Sequence, residues 1–394
     1  MSKAGRLASL GAVVTLNTLR KDLRGELEAP REARRFGQGW ISGVIALVLA
    51  LGGLFLVVCL RFPATFTVPE IRGVVDVALF RVAVHVVLIA AFTLAVVSIV
   101  LRRSKLLGLT AIVATLAATA LGGSRAQPVG ELTSGVYFGL DWFLLNLTLT
   151  GVVFLPFERL FGRNPQPVFR FEWREDLLYF LISSLLVQSL TYLTMAPAGA
   201  ILHHTRWDAM RTAVREQPLW LQFVEIMFLT DLVQYWLHRA FHKIPFLWGF
   251  HSIHHSAPVL DWLAGSRMHL FEIVCLRATT AIPMVVLGFD SAAMYTYLVV
   301  VYLYATYIHA NVRFDVEWLK PLIVTPRFHH WHHGLEREAI DVNFAIHFPI
   351  LDRVFGTYHM PAGRWPAAYG VESPPVPSGF VAQFAHPFRR RTNS

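Results

Sequence analysis

The chain has 394 residues, of which 55% are hydrophobic and only 15% are charged, and its formal net charge is +9. A soluble domain carries about 25% charged residues, so this composition excludes an ordinary soluble enzyme and indicates a protein that lipid surrounds. The basic residues flank apolar runs instead of forming one stripe, which favours membrane topology signals over nucleic-acid binding. Two cysteines, Cys59 and Cys275, are too few for a disulfide framework.

A basic leader at residues 1–39 precedes the first apolar run, and its stretch from Leu16 to Leu27 fits an amphipathic helix at the membrane surface. Apolar runs long enough to cross a bilayer follow, since about twenty residues cover the hydrocarbon core. We place them at 40–60, 78–101, 105–122, 136–156, 176–196, 219–237, 270–288 and 291–308. Beyond His309 the chain turns polar, and it ends in proline-rich loops and a basic tail with Arg389, Arg390 and Arg391.

The distribution of basic residues predicts which side of the membrane each loop occupies. With a cytoplasmic N-terminus, the cytoplasmic segments hold fifteen Lys and Arg residues and the opposite loops hold six, as the positive-inside rule expects. The segment from His238 to His269 then lies on the cytoplasmic side, and a two-span hairpin over 270–308 returns His309 to that side. We therefore expect an all-α, polytopic transmembrane helical bundle with its histidines at the cytoplasmic face.

Histidines recur in three groups with helical spacing. Residues three or four apart lie on one helix face, so each group can aim its imidazoles at a common point. Imidazole is the commonest protein ligand for transition metals, and these histidines exceed the four ligands of one tetrahedral ion. The sequence thus predicts a histidine-rich di-metal site. The groups are His238 and His242; His251, His254 and His255; and His329, His332 and His333, with His269 and His309 as further candidates at the ends of apolar runs.

The ligand type does not decide the metal, because all-imidazole coordination suits Zn, Cu, Fe or Ni. A redox-active pair beside a membrane would suit O2 activation at an unactivated C–H bond, whereas a zinc pair would suit hydrolysis. Two alternatives to an oxygenase therefore stay open: a membrane metal transporter or sensor, and a di-metal lyase or hydrolase. Ligands that cluster at helix ends, instead of lining several spans, favour an enzyme over a transporter.

The run DLVQYWLHRAFHKIPFLWGFHSIHH, which begins at Asp231, resembles the signature of the fatty acid hydroxylase/sterol desaturase superfamily. The similarity continues downstream and covers about residues 135–360. The further matching segments are Arg267 to His269 with Glu272, His309 to Asn311, Thr325 to His333, Asp341 to Phe344, and Leu351 to Thr357. We accordingly divide the chain into the leader at 1–39, an added transmembrane segment at 40–125, a catalytic domain at 135–360 and a basic C-terminal tail at 361–394.

The resemblance implies an integral membrane enzyme with a histidine-bound di-iron centre on the cytoplasmic side. Such an enzyme uses O2 and two electrons to hydroxylate or desaturate a lipid or sterol. The implied iron ligands are His238, His242, His251, His254, His255, His329, His332 and His333, completed by His309 and His269. The sequence carries no haem-binding His-Pro-Gly-Gly element, no cysteine-rich iron–sulfur motif and no dinucleotide-binding glycine run. We therefore expect a separate electron donor, which is a cytochrome b5, a ferredoxin or a reductase.

Polar residues beside the histidines are candidates to support the ligands. Asp231 lies one heptad before His238 on nearly the same helix face, so its carboxylate can accept the second imidazole N–H and hold the ligating tautomer. Glu272 and Asp352 are candidates for the same role. Two asparagines are candidates to bind a metal-linked water, namely Asn311 and Asn343. No catalytic side chain beyond the metal ligands is expected.

Overall fold

The computed structural model describes residues 18–19, 21–23, 25–27, 29–69, 71, 76–129, 137–314, 318–372 and 375–389. Within these residues the chain is helical and contains no β-strand, only isolated bridges between Gly162 and Val312 and between Gly334 and Tyr369. The all-α prediction is confirmed. The predictions for Leu16 in the leader and for Arg390 and Arg391 in the tail lie outside the described residues.

The chain forms two compact units, Met1–Leu144 and Leu145–Ser394. The described part of the first unit contains α1 (Trp40–Arg61), α2 (Val77–Leu101) and α3 (Leu106–Ala120), with short helical turns at Arg31–Arg34, Pro63–Phe66 and Gly123–Arg125. The boundary between the units falls within α4 (Leu140–Phe161). The division of the chain into leader, added membrane segment, catalytic domain and tail stays a prediction.

Small side chains let α1, α2 and α3 pack closely, as is common for helices in membranes. A Cβ at Gly43 would overlap the Ser98 hydroxyl, so this close approach of α1 and α2 favours glycine. The Asp76 side chain accepts hydrogen bonds from the amides of the first turn and starts α2. The buried alanines of this core are Ala46, Ala50, Ala91, Ala95, Ala111 and Ala114.

The second unit carries the histidines. Its helices after α4 are α5 (Trp173–Leu185), α6 (Val187–His204), α7 (Asp208–Arg215), α8 (Leu219–Lys243), α9 (Pro245–His255), α10 (Leu270–Val286), α11 (Ser291–His309), α12 (Pro326–His332), α13 (Ile350–Val354) and α14 (Phe380–Ala385). Short 3-10 turns lie at Ala264–Ser266, Arg337–Ala339 and His386–Phe388.

Among the described residues, five helical stretches are long and apolar enough to cross a membrane, which supports an integral membrane protein. They are α1, α2, the stretch Leu106–Arg125, α4 and α11. The predicted span at 176–196 is instead broken, because α5 and α6 meet at an angle of 66° and make at most one span together.

The segments 219–237 and 270–288, also predicted as spans, form α8 and α10 but are not among these five stretches. α10 has 17 residues and is therefore about 25 Å long at 1.5 Å per residue, which is short of a hydrocarbon core of about 30 Å. α8 buries the polar residues Thr230, Asp231 and His238 along its second half. Because these groups face protein partners, the apolar length of α8 is shorter than its helical length.

α10 and α11 form the predicted hairpin. Gly288 adopts a left-handed φ of +77° at the turn, a conformation that glycine takes without steric cost. The Asp290 side chain then accepts a hydrogen bond from Ala292 N at 2.7 Å and starts α11. His269 is the N-cap residue of α10 and His309 is the last residue of α11, so both lie at the same end of the hairpin.

Two short helices bring the other histidines to this end. Pro245 occupies the first turn of α9, where its missing N–H is tolerated and where it cannot continue the preceding helix, so α9 starts in a new direction directly after α8. Thr325 caps α12 by accepting a hydrogen bond from Phe328 N at 3.4 Å. Beneath the histidines lies an apolar core that includes Tyr235, Ile308, Phe328 and Phe344.

Candidate metal centre

Nine histidines converge in two groups, and in each group the ring nitrogens lie within 4.8 Å of one another. Every one of these side chains is buried, with 7% or less of its surface exposed. We name the groups site A and site B. Site A consists of His238, His242, His251, His255 and His332, and site B consists of His254, His309, His329 and His333.

The sites do not follow the grouping in the sequence. Residues four apart stay together, as predicted, so the pair His251 and His255 belongs to site A and the pair His329 and His333 belongs to site B. The middle member of each triplet belongs to the other site: His254 faces site B and His332 faces site A. The expectation that each sequence group shares one point is therefore wrong for both triplets. Neighbouring residues on a helix project about 100° apart, so one helix can supply both sites.

Within each site the Nε2 atoms are spaced like ligand atoms around one ion. In site A the Nε2 atom of His251 lies 3.0 Å from that of His238 and 3.1 Å from that of His255. In site B successive Nε2 atoms are 3.2, 3.0 and 3.1 Å apart along the series His254, His309, His329 and His333. Two nitrogens that each lie about 2.1 Å from one ion are about 3.0 to 3.4 Å apart, which agrees with these distances.

The second nitrogen of several rings faces a group that can only accept a hydrogen bond. In site B, His254 Nδ1 lies 3.1 Å from the Arg267 carbonyl and His309 Nδ1 lies 2.7 Å from the Ala305 carbonyl. Each Nδ1 must therefore donate its proton, which leaves a lone pair on each Nε2. These two lone pairs face each other at 3.2 Å. A cation between them removes that repulsion, so the arrangement fits a bound metal ion.

Site A is arranged in the same way. His238 Nδ1 donates to the Phe344 carbonyl at 2.8 Å and His332 Nδ1 donates to the Val342 carbonyl at 2.8 Å. The Nε2 atoms of His242 and His332 are buried and have no protein hydrogen-bond partner, although buried polar atoms are normally paired. Unpaired nitrogen donors that converge on one point fit a transition metal, because Mg²⁺ and Ca²⁺ prefer oxygen ligands.

Burial keeps the imidazoles in the form that binds metal. It lowers the pKa of His255, His332 and His333 well below the ordinary histidine value, and the neighbouring histidines lower it further. The rings are therefore neutral at physiological pH, and the neutral imidazole is the form that ligates.

Residues 223–357 match the family model described as fatty acid hydroxylase, and this region contains all nine histidines of the two sites. The chain carries a domain of the fatty acid hydroxylase/sterol desaturase superfamily. The resemblance carried by the histidine motifs is thereby confirmed.

Three proteins whose names describe hydroxylases or monooxygenases are similar to part of this chain. The chain is 29% identical over 174 residues to the ornithine lipid hydroxylase OlsE of Rhizobium tropici, which covers 44% of this chain and 52% of the relative. It is 28% identical over 144 residues to human alkylglycerol monooxygenase, which covers 36% of this chain and 32% of that enzyme. It is also 26% identical over 233 residues to a Dictyostelium discoideum protein assigned provisionally as a methylsterol monooxygenase, covering 57% of this chain and 84% of that protein.

The matched region thus spans about half the length of the bacterial hydroxylase and about a third of the human monooxygenase. The similarity locates the shared domain in the second unit. No solved structure gives a significant match to this chain.

His269 is the one predicted ligand of this superfamily domain that the structure does not bring into either site. Its Nδ1 accepts a hydrogen bond from Phe271 N at 3.1 Å and so caps α10. Its Nε2 lies 3.3 Å from the Phe384 carbonyl, and its ring stacks on the Phe384 ring with centroids 4.5 Å apart. Both nitrogens are engaged away from the metal groups.

Glu272 hydrogen-bonds a ligand histidine, as predicted, although the sequence did not specify which one. Its Oε1 lies 2.5 Å from His251 Nδ1, where it can hold the ring with Nε2 toward site A. Sequence spacing places Glu272 three residues after His269 and suits a bond between those two. The fold instead brings α9 alongside α10, so the carboxylate reaches His251.

Asp231 and Asp352 do not contact an imidazole, which corrects the prediction that they accept a ligand N–H directly. Asp231 accepts backbone hydrogen bonds from Ile346, His347 and Phe348. The Asp352 carboxylate accepts them from the two preceding amides, Phe344 N and Ala345 N. Both carboxylates are fully buried.

The asparagines also stabilise the fold and do not face the sites. Asn311 exchanges two hydrogen bonds with the backbone of Asn164, at 2.9 and 2.8 Å. The Asn343 amide donates to the carbonyls of Phe328 and His359, at 3.0 and 2.7 Å. With both amides engaged in this way, the structure does not support the prediction that they bind a metal-linked water.

Sequence reasoning missed a buried ion cluster that lies beside site B. The guanidinium groups of Arg170 and Arg267 both bind the carboxylate of Asp176, and all three side chains are at most 2% exposed. Arg170 also pairs with Asp261 at 2.7 Å, and Arg267 pairs with Glu172 at 2.7 Å. Arg267 supplies the carbonyl that orients His254, so the cluster supports that carbonyl. In the sequence, only the Arg-Met-His motif that begins at Arg267 pointed to this cluster.

Proposed function

We propose that this chain is a membrane-bound di-iron oxygenase that uses O2 and two electrons to hydroxylate a C–H bond of a lipid or sterol. The observation that carries the proposal is the pair of facing Nε2 lone pairs of His254 and His309, 3.2 Å apart in a site where both Nδ1 atoms donate to carbonyls. A second site of the same kind adjoins it. The similar hydroxylase and monooxygenases support lipid oxidation over hydrolysis.

The proposed reaction balances as C–H plus O2, two electrons and two protons giving C–OH and water. Desaturation on the same centre would remove two hydrogens from neighbouring carbons and release two waters. Two bound iron ions would supply the O2 activation. The nine proposed ligands are neutral imidazoles, so the ligands themselves contribute no charge to the centre. Its role is to hold the ions, while the carbonyl acceptors fix each ring in one orientation.

The cytoplasmic position of the centre and its electron donor are further parts of the proposal. The excess of Lys and Arg in the predicted cytoplasmic segments, fifteen against six, supports that side. On that side a separate cytochrome b5, ferredoxin or reductase can deliver the electrons. The substrate reaches the centre from the membrane; the named relatives favour a polar lipid or a sterol.

The test uses the full chain purified in detergent. We expect about two iron ions per chain, reductant-dependent O2 consumption, and a membrane lipid that gains one oxygen atom from ¹⁸O2. His254→Ala should lose iron and activity while the protein still inserts into the membrane. His203→Ala is the matched control, because this exposed histidine at the end of α6 belongs to neither site.

Other outcomes identify the alternatives. Two zinc ions per chain without O2 consumption would overturn the oxygenase and favour a lyase or hydrolase. Metal uptake into proteoliposomes that His254→Ala abolishes would favour a transporter. Electron nuclear double resonance or Mössbauer spectroscopy on the iron form would separate ligated iron from iron that is bound adventitiously.

A further inference from the structure

One irregular segment, residues 341–348, faces three of the five rings of site A. The carbonyl of Val342 accepts from His332 Nδ1 and the carbonyl of Phe344 accepts from His238 Nδ1, both at 2.8 Å. The carboxylate of Asp341 lies 3.4 Å from His242 Nδ1. We name residues 341–348 the orienting segment, because it determines which nitrogen of these rings faces the ion.

The orienting segment does not hold its shape by regular secondary structure. Asp341 and Asn343 adopt positive φ values of 61° and 59°, which residues with a side chain rarely do. The Asn343 amide stabilises this conformation through the Phe328 and His359 carbonyls. The carbonyls on either side of Asn343 are those that orient His332 and His238, so the positions of these rings depend on the support that the segment receives.

Two buried carboxylates bind five successive amides of the segment. Asp352 accepts from Phe344 N at 2.8 Å through Oδ1 and from Ala345 N at 2.9 Å through Oδ2. Asp231 accepts from Ile346 N at 2.8 Å through Oδ1, and from the next two amides at 3.1 and 2.7 Å through Oδ2. Each carboxylate thus uses both oxygens. Such charge-assisted bonds are stronger than bonds between neutral groups.

Site B receives its orientation from elsewhere. His254 is oriented by the Arg267 carbonyl and His309 by the Ala305 carbonyl, and neither lies in the orienting segment. Among the described residues, no hydrogen bond links a site B ring to residues 341–348. The acceptors that orient His254 and His309 are therefore separate from those in the orienting segment.

We propose that Asp231 and Asp352 are positioning residues for the site A ion alone, acting through the backbone of the orienting segment. This inference rests on the proposed metal centre, but not on the reaction at that centre. Asn at either position replaces one accepting oxygen by an N–H2 group that faces a backbone N–H. The segment must then move, and with it the carbonyls that orient His238 and His332. Loss of such an outer partner typically weakens metal binding about 10- to 100-fold.

The experiment measures metal content of the full chain in detergent, after dialysis against a graded chelator. We expect two ions per chain in the unmodified protein. Asp352→Asn and Asp231→Asn should each weaken one ion about 10- to 100-fold and leave the other unchanged. At a chelator concentration that removes only the weakened ion, a second substitution identifies that ion: adding His255→Ala should cause no further loss, whereas adding His329→Ala should remove the remaining ion.

Asp290→Asn is the matched control. Asp290 is also a carboxylate that accepts a hydrogen bond from a backbone amide, Ala292 N at 2.7 Å, but this bond is exposed and caps α11 at the end away from His309. Asn caps helices as well as Asp does, so this variant should keep both ions. Circular dichroism and size-exclusion chromatography verify that each variant is folded.

If either variant does not fold, Thr357→Val provides a milder change, because it removes only the bond from the Thr357 hydroxyl to Asp352 and its contact with Tyr235, each 2.7 Å long. It should weaken the site A ion without affecting site B. Folded variants that keep both ions with unchanged affinity overturn the inference, and so does equal weakening of both ions. A protein that binds two ions but oxidises no lipid would contradict the proposed function and leave this inference standing.

Discussion

The imidazoles of His254 and His255, which are neighbours in the chain, face different metal sites. His254 Nε2 lies 3.2 Å from His309 Nε2 in site B, and His255 Nε2 lies 3.1 Å from His251 Nε2 in site A. The last turn of α9 therefore lies between the two sites and supplies ligands to both. Because both ions would depend on this one turn, the pair offers a direct way to address each ion separately.

Replacement of either neighbour should remove one ion and not the other. We expect His254→Ala to lose the site B ion, His255→Ala to lose the site A ion, and the double variant to bind none. Each single variant should lower activity by more than about 100-fold, since loss of even an outer partner costs 10- to 100-fold. Elemental analysis of the purified chains measures the ion content, and His203→Ala is the control. Loss of both ions from each single variant would contradict the separation of the sites.

Removal of the metal should lower thermal stability, because the ions link α8, α9, α11 and α12. An ion that binds only the folded chain at a concentration about 1,000-fold above its Kd stabilises it by about 4 kcal/mol. We expect chelation to lower the Tm and added Fe²⁺ to restore it. Differential scanning fluorimetry in detergent measures the shift, with His254→Ala as the variant whose Tm should respond less to chelation. An unchanged Tm in the unmodified protein would contradict a role of the ions in holding the helices.

Glu272 should matter for the site A ion through His251. Glu272→Ala removes the acceptor that lies 2.5 Å from His251 Nδ1, and we expect about 10- to 100-fold weaker binding of one ion. Glu272→Gln retains an accepting oxygen and should have a smaller effect. Competition with a chromophoric chelator measures the affinities. If alanine and glutamine behave alike, the hydrogen bond to His251 does not orient the ring.

His269 should contribute to folding and not to metal binding. His269→Ala removes the cap of α10, which typically costs about 0.5 to 2 kcal/mol, while two ions per chain remain. His269→Asn should restore most of the lost stability, because asparagine is a good N-cap residue. Chemical denaturation measures the free energy of unfolding, and elemental analysis of the same samples measures the number of ions per chain. Loss of an ion in both variants would show that His269 is a ligand after all.

The ion cluster beside site B should be more sensitive than ion pairs on the surface. Asp176→Asn removes the carboxylate that Arg170 and Arg267 share and leaves each arginine with one carboxylate partner, Asp261 or Glu172. Breaking a buried ion pair costs up to about 3 to 5 kcal/mol. It should also weaken the site B ion, because Arg267 orients His254. Asp208→Asn is the control, since the 86% exposed carboxylate of Asp208 pairs with Arg211 at the surface and such a pair contributes about 1 kcal/mol or less.

Local spacing predicted the parts of the site that depend on a single helix. The pairs His238 with His242, His251 with His255, and His329 with His333 each share a site because residues four apart lie on one helix face. The adjacent apolar runs at 270–288 and 291–308 likewise predicted the hairpin that returns His309 to the site. These features depend on neighbours in the chain, so the sequence is sufficient to predict them.

The sequence by itself determined the all-α class, the superfamily and the nine histidines that converge, although it also predicted a tenth, His269, that does not. Only the tertiary structure decided how they divide between two sites, since His254 and His332 join partners from other helices. It also decided what orients them. The acceptors of His238, His254, His309 and His332 are backbone carbonyls, which every residue carries and which no side-chain pattern can reveal. Of the carboxylates predicted to hold the rings, Glu272 contacts His251. Asp231 and Asp352 instead bind the backbone segment that supplies the carbonyls of Val342 and Phe344.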